Sequence, residues 1–311
     1  MLDLNNSNAR IKPMTVEETS LKVTLADYKS AIDLELTELL ENSKLDNLAQ
    51  SQLLQSIQYS VSNGGKRLRP ILSLMTAEAI QSKEIPVRDN PALKLALAVE
   101  LVHCGSLIHD DLPCMDDDDL RRGKSTNHKV FGEAIALLAG DTLLCYPIQL
   151  LLEAKPQAEV INEFIEAIKD MIAGQAMDLE LPEQQVSMTQ MQSMQELKTG
   201  ALLRASVVLA AKMVGANQVQ IDALENYSSK IGLAFQIVDD ILDVTASTEQ
   251  LGKTAAKDIE QNKATYVKFY GLDKAGIMAE ELIGQAKAAL DVIPNSEKLK
   301  ALADYVLSRQ N

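Results

Sequence analysis

Leu93-Lys94-Leu95-Ala96-Leu97-Ala98-Val99-Glu100-Leu101-Val102-His103-Cys104-Gly105-Ser106-Leu107-Ile108-His109-Asp110-Asp111, running on into Leu112-Pro113-Cys114-Met115-Asp116-Asp117-Asp118-Asp119, is the stretch that decides the fold. Leu93, Leu97 and Leu101 recur every four residues and Val99 and Val102 fill in between them, which is the period of a helix buried along a broad face. The helix then runs into six carboxylates within ten positions. Like charges at that density repel one another, so the end of this helix needs cations, Arg partners or solvent to hold it together.

Outward from this segment, the same three- and four-residue spacing runs through 16–42, 70–81, 132–153, 159–179, 220–246 and 274–291, and predicts ten or more helices. There is no Trp, and 4 Phe, 7 Tyr, 9 Pro and 14 Gly in 311 residues leave little material for a sheet protein. Ala134 to Ala139 and Ile231 to Val244 are apolar on most faces and are expected to be central helices surrounded by others. Breaks fall at 62–70, 82–91, 113–126, 181–187 and 246–265, none long enough to be an interdomain linker. The expectation is one all-α domain over 1–311, a helical bundle, with roughly residues 1–12 poorly ordered.

The formal charge of −14 disfavours nucleic acid and anionic membrane surfaces as partners. An anionic substrate would require local inversion of that charge by clustered Lys and Arg or by a divalent cation. Cys104, Cys114 and Cys145 form no CxxC or zinc-ligand spacing, which fits a reducing, cytoplasmic setting. Met1 to Arg10 are polar with no apolar h-region, and no stretch reaches 18 uninterrupted apolar residues, so neither secretion nor membrane spanning is expected.

A second acidic cluster, Asp239-Asp240-Ile241-Leu242-Asp243, ends another apolar helical run. Asp239 and Asp243 are four apart, which on a helix puts both carboxylates on one face, about 5–6 Å between Cβ atoms. Asp110 and Asp116 are six apart across Pro113, so the first helix must end or distort if both are to serve one metal. A single acidic run is most often a solvated helix face. Two matched runs, each beginning with a doubled Asp beneath an apolar helix, point to a hard divalent cation such as Mg²⁺, bound through oxygen and shared with phosphate. Neither run has EF-hand ligand spacing.

The matching cations are Lys66, Arg67 and Arg69 in Gly64-Gly65-Lys66-Arg67-Leu68-Arg69-Pro70, Arg121 and Arg122 after the first cluster, Lys253 and Lys257 after the second, and Lys198 in Lys198-Thr199-Gly200. The glycine pair lets backbone approach a ligand closely, so 64–70 reads as an anion cradle. It is not a Walker A loop, and neither is Gly252-Lys253-Thr254, where the earlier glycine position, 247, is Ser. Lys257 beside Asp258 reads equally well as a surface pair.

These motifs, taken with Gly174-Gln175 and Asp178 and with Phe235-Gln236, resemble those of the polyprenyl synthetase family of trans-prenyltransferases, and most nearly its bacterial farnesyl diphosphate synthases, from about Ser30 to the C-terminus. The resemblance implies an isoprenoid-synthase bundle around a deep cavity, usually a homodimer, that joins isopentenyl diphosphate to dimethylallyl or geranyl diphosphate. It implies that Asp110, Asp111, Asp116, Asp239, Asp240 and Asp243 hold about three Mg²⁺, with Mn²⁺ able to substitute. It further implies that Arg121, Lys198 and Lys253 contact the allylic diphosphate, that Thr199 and Gln236 line the path of the reactive carbon, and that Gly65, Lys66, Arg69, His103 and Arg122 bind isopentenyl diphosphate. From spacing alone His103 reads equally well as a buried structural histidine, the reading kept for His109 and His128. Cys114 is a spacer.

Product length in such enzymes is set largely four and five positions before the first Asp, here Ser106 and Gly105. Gly105 stands where bacterial C15 synthases commonly carry an aromatic floor, so a C20 product is sterically open, although the whole-chain likeness favours C15. Gly105→Tyr or Gly105→Phe is then expected to shorten the product. The competing readings are a class I terpene cyclase, disfavoured by the aspartate-rich second motif and the second-substrate cradle, and a non-catalytic subunit, disfavoured because every motif position is filled.

Overall fold

The structure is a computed structural model that describes residues 16–42, 51–180, 186–245 and 265–308. Among these, thirteen α-helices carry the fold: α1 Val16–Glu41, α2 Gln52–Ser62, α3 Leu68–Gln81, α4 Leu93–Asp110, α5 Asn127–Phe131, α6 Glu133–Leu152, α7 Ala158–Glu180, α8 Met188–Gln195, α9 Ala201–Met213, α10 Gln218–Thr245, α11 Tyr266–Tyr270, α12 Leu272–Ala289 and α13 Glu297–Ser308. The expected periodic stretches fall on α1, α3, α4, α6, α7, α10 and α12, with ends within two residues of those read from the sequence.

Local chemistry sets several helix starts. Ser51 caps α2 by accepting from Leu54 N at 3.2 Å, and Ser187 and Gln190 form a reciprocal capping box on α8. Pro70 sits in the first turn of α3, where its missing N–H interrupts no helical bond. α4 ends at Asp110, three residues before Pro113. The strands expected to be absent are nearly so. Leu120–Arg121 (β1) and Lys124–Ser125 (β2) form a two-residue-per-strand hairpin, closed by Arg122 and Gly123 at φ 55° and 76°, both left-handed as a tight hairpin turn requires.

α4 is the central rod. Leu95 to Val102 are all buried, and α3, α6 and α9 pack around it. α10 packs on α9 and on α12, and α13 closes against α3 and α10. A buried ion network anchors this frame: Arg67, left-handed at φ 52° and 3% exposed, donates to Asp33 on α1 at 2.8 Å, to Glu100 on α4 at 2.6 Å and to the Val61 carbonyl on α2 at 2.6 Å. The middle cation of the 64–70 motif is thereby spent on structure. Glu78 on α3 likewise accepts from Tyr28 at 2.6 Å and from Lys298 at 2.9 Å, tying α1 and α13 to it.

α6 corrects one expectation. Its inner side packs on α4, but Leu137 and Leu138 are about half exposed, at 47% and 49%, so 134–139 is not surrounded by other helices. By length and composition alone α6 could cross a membrane, yet it carries Glu133 and Asp141 and is a core helix on one side.

Candidate active site

The first acidic cluster is shaped by where α4 stops. The chain folds back so that Asp116 N donates to the Asp110 carbonyl at 2.8 Å, and Asp117 N to that of Leu112 at 3.1 Å, which returns residue 116 to the side of residue 110 despite Pro113 between them. Burial, with the Asp116 and Asp111 charges added, pushes the Asp110 carboxyl up to about 6 against the opposing pull of Lys198 and Arg121. Asp111 is only 3% exposed, and its Oδ1 accepts from Arg121 Nε at 2.9 Å; Arg121 also reaches Asp118 at 3.1 Å. Burial works against the Arg121 charge, but the hydrogen bond and charge of Asp111 outweigh it. Arg121 and Asp111, expected on the diphosphate and on metal respectively, are thus each other's partners here.

Lys198 comes from a single π-helical segment, Glu196–Gly200, that joins α8 to α9. Its Nζ donates to Asp178 on α7 at 2.6 Å. Burial lowers its affinity for the proton, and the Asp178 and Asp110 charges more than restore it. The approach is possible because residue 174 is glycine: a Cβ there would lie 2.6 Å from Lys198 Cα. This explains the Gly174-Gln175 and Asp178 spacing that the sequence displays without stating its reason.

Arg69, His103, Ser106, Asp110, Lys198 and Thr199 line one cavity of about 350 Å³. Its mouth is charged, and one wall is apolar, made by Leu144 of α6 and by Met171 and the half-exposed Ile172 of α7. Burial holds His103 well below the ordinary histidine range, and the surrounding Arg69, Arg122, Arg67 and Arg121 hold it lower still, so its imidazole is neutral. Burial also lowers the Arg69 guanidinium, and its Nε has no hydrogen-bond partner.

Other expected site residues lie around this cavity instead of in it. Gly65 and Lys66 border a second space of about 320 Å³ between α1, α3, α10 and α13. Arg122 folds back from the hairpin turn to donate to the Gly64 carbonyl, and a Cβ on Gly65 would meet its guanidinium at 2.6 Å. Gln236 opens on a third space of about 420 Å³ behind the π-helical segment, which Gly200 and Gly232 also line. On α10, Asp239 is exposed but close enough for its charge to act on Arg69. Asp240 accepts from Tyr266 N at 2.6 Å, and Asp243 is 5% exposed. Lys253, Lys257 and the first dozen residues lie outside the described residues.

Gly105 needs a correction. It faces α6, where a Cβ would lie 2.8 Å from Leu143 Cβ and 3.1 Å from the Gly140 carbonyl, so it leaves no open floor; Ser106, the next residue, lines the cavity. His109, expected to be a buried structural histidine, instead borders the cavity, with Nε2 3.0 Å from the Leu137 carbonyl. His128 is buried beside Thr126.

Among the described residues no three carboxylate, His or Cys side chains are preassembled into a metal cage. The donors are nevertheless of the right kind: crowded carboxylates on two helix ends, with cationic side chains beside them, suit a hard cation whose remaining ligands come from a phosphate.

An all-helical bundle with its aspartates at helix ends around a central cavity is the isoprenoid synthase fold. Residues 50–299 match the polyprenyl synthetase model, and the chain belongs to that family. It is a trans-prenyl diphosphate synthase, a prenyltransferase. It is 42% identical over 268 residues to a chloroplastic geranylgeranyl pyrophosphate synthase of Capsicum annuum, covering 83% of this chain and 71% of that protein. It is similar in structure to an FPP/GFPP synthase of Zymomonas mobilis, with TM-score 0.77, 34% identity and coverage of 94% and 100% of the two chains. A polyprenyl synthase of Caulobacter crescentus, solved with calcium and isoprenyl diphosphate, matches with TM-score 0.80, 26% identity and coverage of 96% and 100%.

Proposed function

We propose that the enzyme condenses isopentenyl diphosphate with dimethylallyl, geranyl and farnesyl diphosphates to give geranylgeranyl diphosphate, C20. The observation that carries the length is the cavity wall: among the described residues no Phe or Tyr lines it, Ser106 is small, and Leu144, Met171 and Ile172 are aliphatic or, for Met171, adaptable. The C20 names of relatives such as the Capsicum annuum enzyme support the same reading. A C15 product is the second reading, supported by the FPP/GFPP synthase of Zymomonas mobilis.

Asp110, Asp116 and Asp239, with Asp111, Asp240 and Asp243 beside them, would hold Mg²⁺, in about three ions or with Mn²⁺ in their place. When bound, such ions neutralise charge on the leaving diphosphate. Lys198 and Arg121 add fixed positive charge at the same end. The C1–O bond of the allylic substrate breaks with its electron pair leaving on diphosphate. The isopentenyl double bond then supplies the pair for the new C–C bond, and a proton passes from the adjacent carbon to the released diphosphate. Arg69 and neutral His103 orient isopentenyl diphosphate, and the apolar wall keeps water from the cation. We further propose a cytoplasmic homodimer that covers the half-exposed apolar side of α6, where Leu137, Leu138 and Leu152 lie.

Incubating the pure chain with isopentenyl and each allylic diphosphate, with Mg²⁺ or with EDTA, followed by dephosphorylation and chromatography, tests this. Mg²⁺-dependent C20 alcohol is expected. Mainly C15 product would favour the second reading, and absence of condensation would refute the functional assignment.

A further inference from the structure

Gln175 is the amide among the described residues lining the main cavity, since Gln236 opens on the space behind the π-helical segment. Both its Oε1 and its Nε2 are buried without a hydrogen-bond partner. Two orphaned polar atoms cost stability unless something else accounts for them, of the order of 1–3 kcal/mol each. Their position along α7 suggests what that is. Met171, one turn before, belongs to the apolar wall, and Asp178, three residues after, is paired with Lys198 at the charged mouth. At 1.5 Å per residue the amide lies about 6 Å along the axis from Met171 and about 4.5 Å from Asp178. It therefore stands where an apolar tail gives way to a diphosphate head. Gly174 fixes this height by letting α7 meet the Lys198 backbone, so that Gln175 lines the cavity at the level of Lys198 and Thr199 with its amide atoms packed into the wall.

We infer that Gln175 is a further catalytic residue that touches the first carbons of the allylic substrate, its amide oxygen facing the positive charge that spreads over C1 and C3 as diphosphate departs. The inference rests on the prenyl-transfer reading above. An amide with no protein partner gives up no protein hydrogen bond when it turns out of the wall to the substrate, and a dipole that meets charge only in the transition state acts on kcat and leaves KM nearly unchanged.

The test compares wild type, Gln175→Leu and Gln175→Glu with geranyl and isopentenyl diphosphates, measuring kcat, both KM values and melting temperature. For Gln175→Leu, kcat is expected to fall about 10- to 100-fold, with both KM values within about threefold of wild type. Gln175→Glu, which keeps an oxygen at the same reach, is expected to recover at least about threefold of that loss. Should Gln175→Leu fail to fold, Gln175→Glu decides: retained turnover with unchanged KM supports the role, and a raised KM with lowered melting temperature overturns it. Wild type that condenses while Gln175→Leu keeps pace with it would overturn this inference alone. Wild type that condenses nothing would bring down the functional reading and this inference together.

Discussion

The two aspartate clusters look alike in sequence and are used differently in the fold. At the end of α4 the carboxylates are matched by cations from elsewhere: Arg121 on Asp111 and Asp118, and Lys198 close enough to Asp110 to act on its proton. On α10 the carboxylates divide their work, with Asp240 accepting a backbone N–H from Tyr266 at the start of α11 and Asp239 exposed toward Arg69. One cluster is a charge balance across several elements, and the other is a short ladder in which structure and chemistry take alternate rungs. Identical residue types in a repeated motif therefore carry unequal shares of stability.

The largest test of that difference is catalytic. Asp110→Ala and Asp239→Ala should each lower the condensation rate by about 10³-fold or more, in the range seen when charge-stabilising groups are removed, while both proteins stay folded. A variant that kept near-normal turnover would take its cluster out of the chemistry. Next in size is a stability effect confined to the second cluster. Asp240→Ala orphans the buried Tyr266 N–H and should lower unfolding free energy by about 1–3 kcal/mol in denaturant titration, whereas Asp239→Ala should change it little. Equal losses in the two variants would erase the division of labour.

A smaller effect belongs to the first cluster and to pH. The Asp110 carboxyl is raised from 3.8 to about 6, so the folded chain holds that proton more tightly than the unfolded chain does. Its contribution is therefore favourable below about pH 4 and is lost as pH rises through about 6. Mg²⁺ competes with the same proton, so Mg²⁺ affinity should climb through that window and level off above it; a flat calorimetric titration between pH 5 and 7 would contradict the assignment. The smallest expectation concerns Asp119, which pairs with Lys129 in solvent at 2.7 Å. Asp119→Ala should leave melting temperature and turnover unchanged, and a clear loss of either would extend the working cluster to its last member.

Helices with one apolar stripe were legible from spacing: α1, α7 and α12 show it and appear where the pattern puts them. α9 was not, because every residue from Ala201 to Ala211 except Arg204 is buried, which leaves almost no polar face to set a period. α2 carries a clear stripe in Leu53, Leu54, Ile57 and Val61, but at 11 residues it is too short to stand out from its surroundings. In the site, motif residues such as Asp110, Lys198 and Arg69 could be named from charge and spacing. Their pairings could not, since Arg121 with Asp111, and Lys198 with Asp178, depend on how far chain segments fold back. Gly105 shows the limit best. Its small size reads as an opened floor, but only the crossing of α4 and α6 reveals that the missing side chain makes room for Leu143 and Gly140.

That Lys198 sits on a π-helical segment has a consequence for insertions and deletions. α8, the segment Glu196–Gly200 and α9 run end to end, and the widened turn holds one residue more than an α-helical turn would. Removing a single residue from 196–200 would let the whole run close up as a regular helix, with α8 and α9 each keeping its face and only the side chains of the turn itself re-aimed. Lys198 would then leave Asp178 and the cavity, while the buried face of α9 stayed in register. Among all single-residue deletions in the helices, one placed there would disarm the enzyme with the least damage to its core.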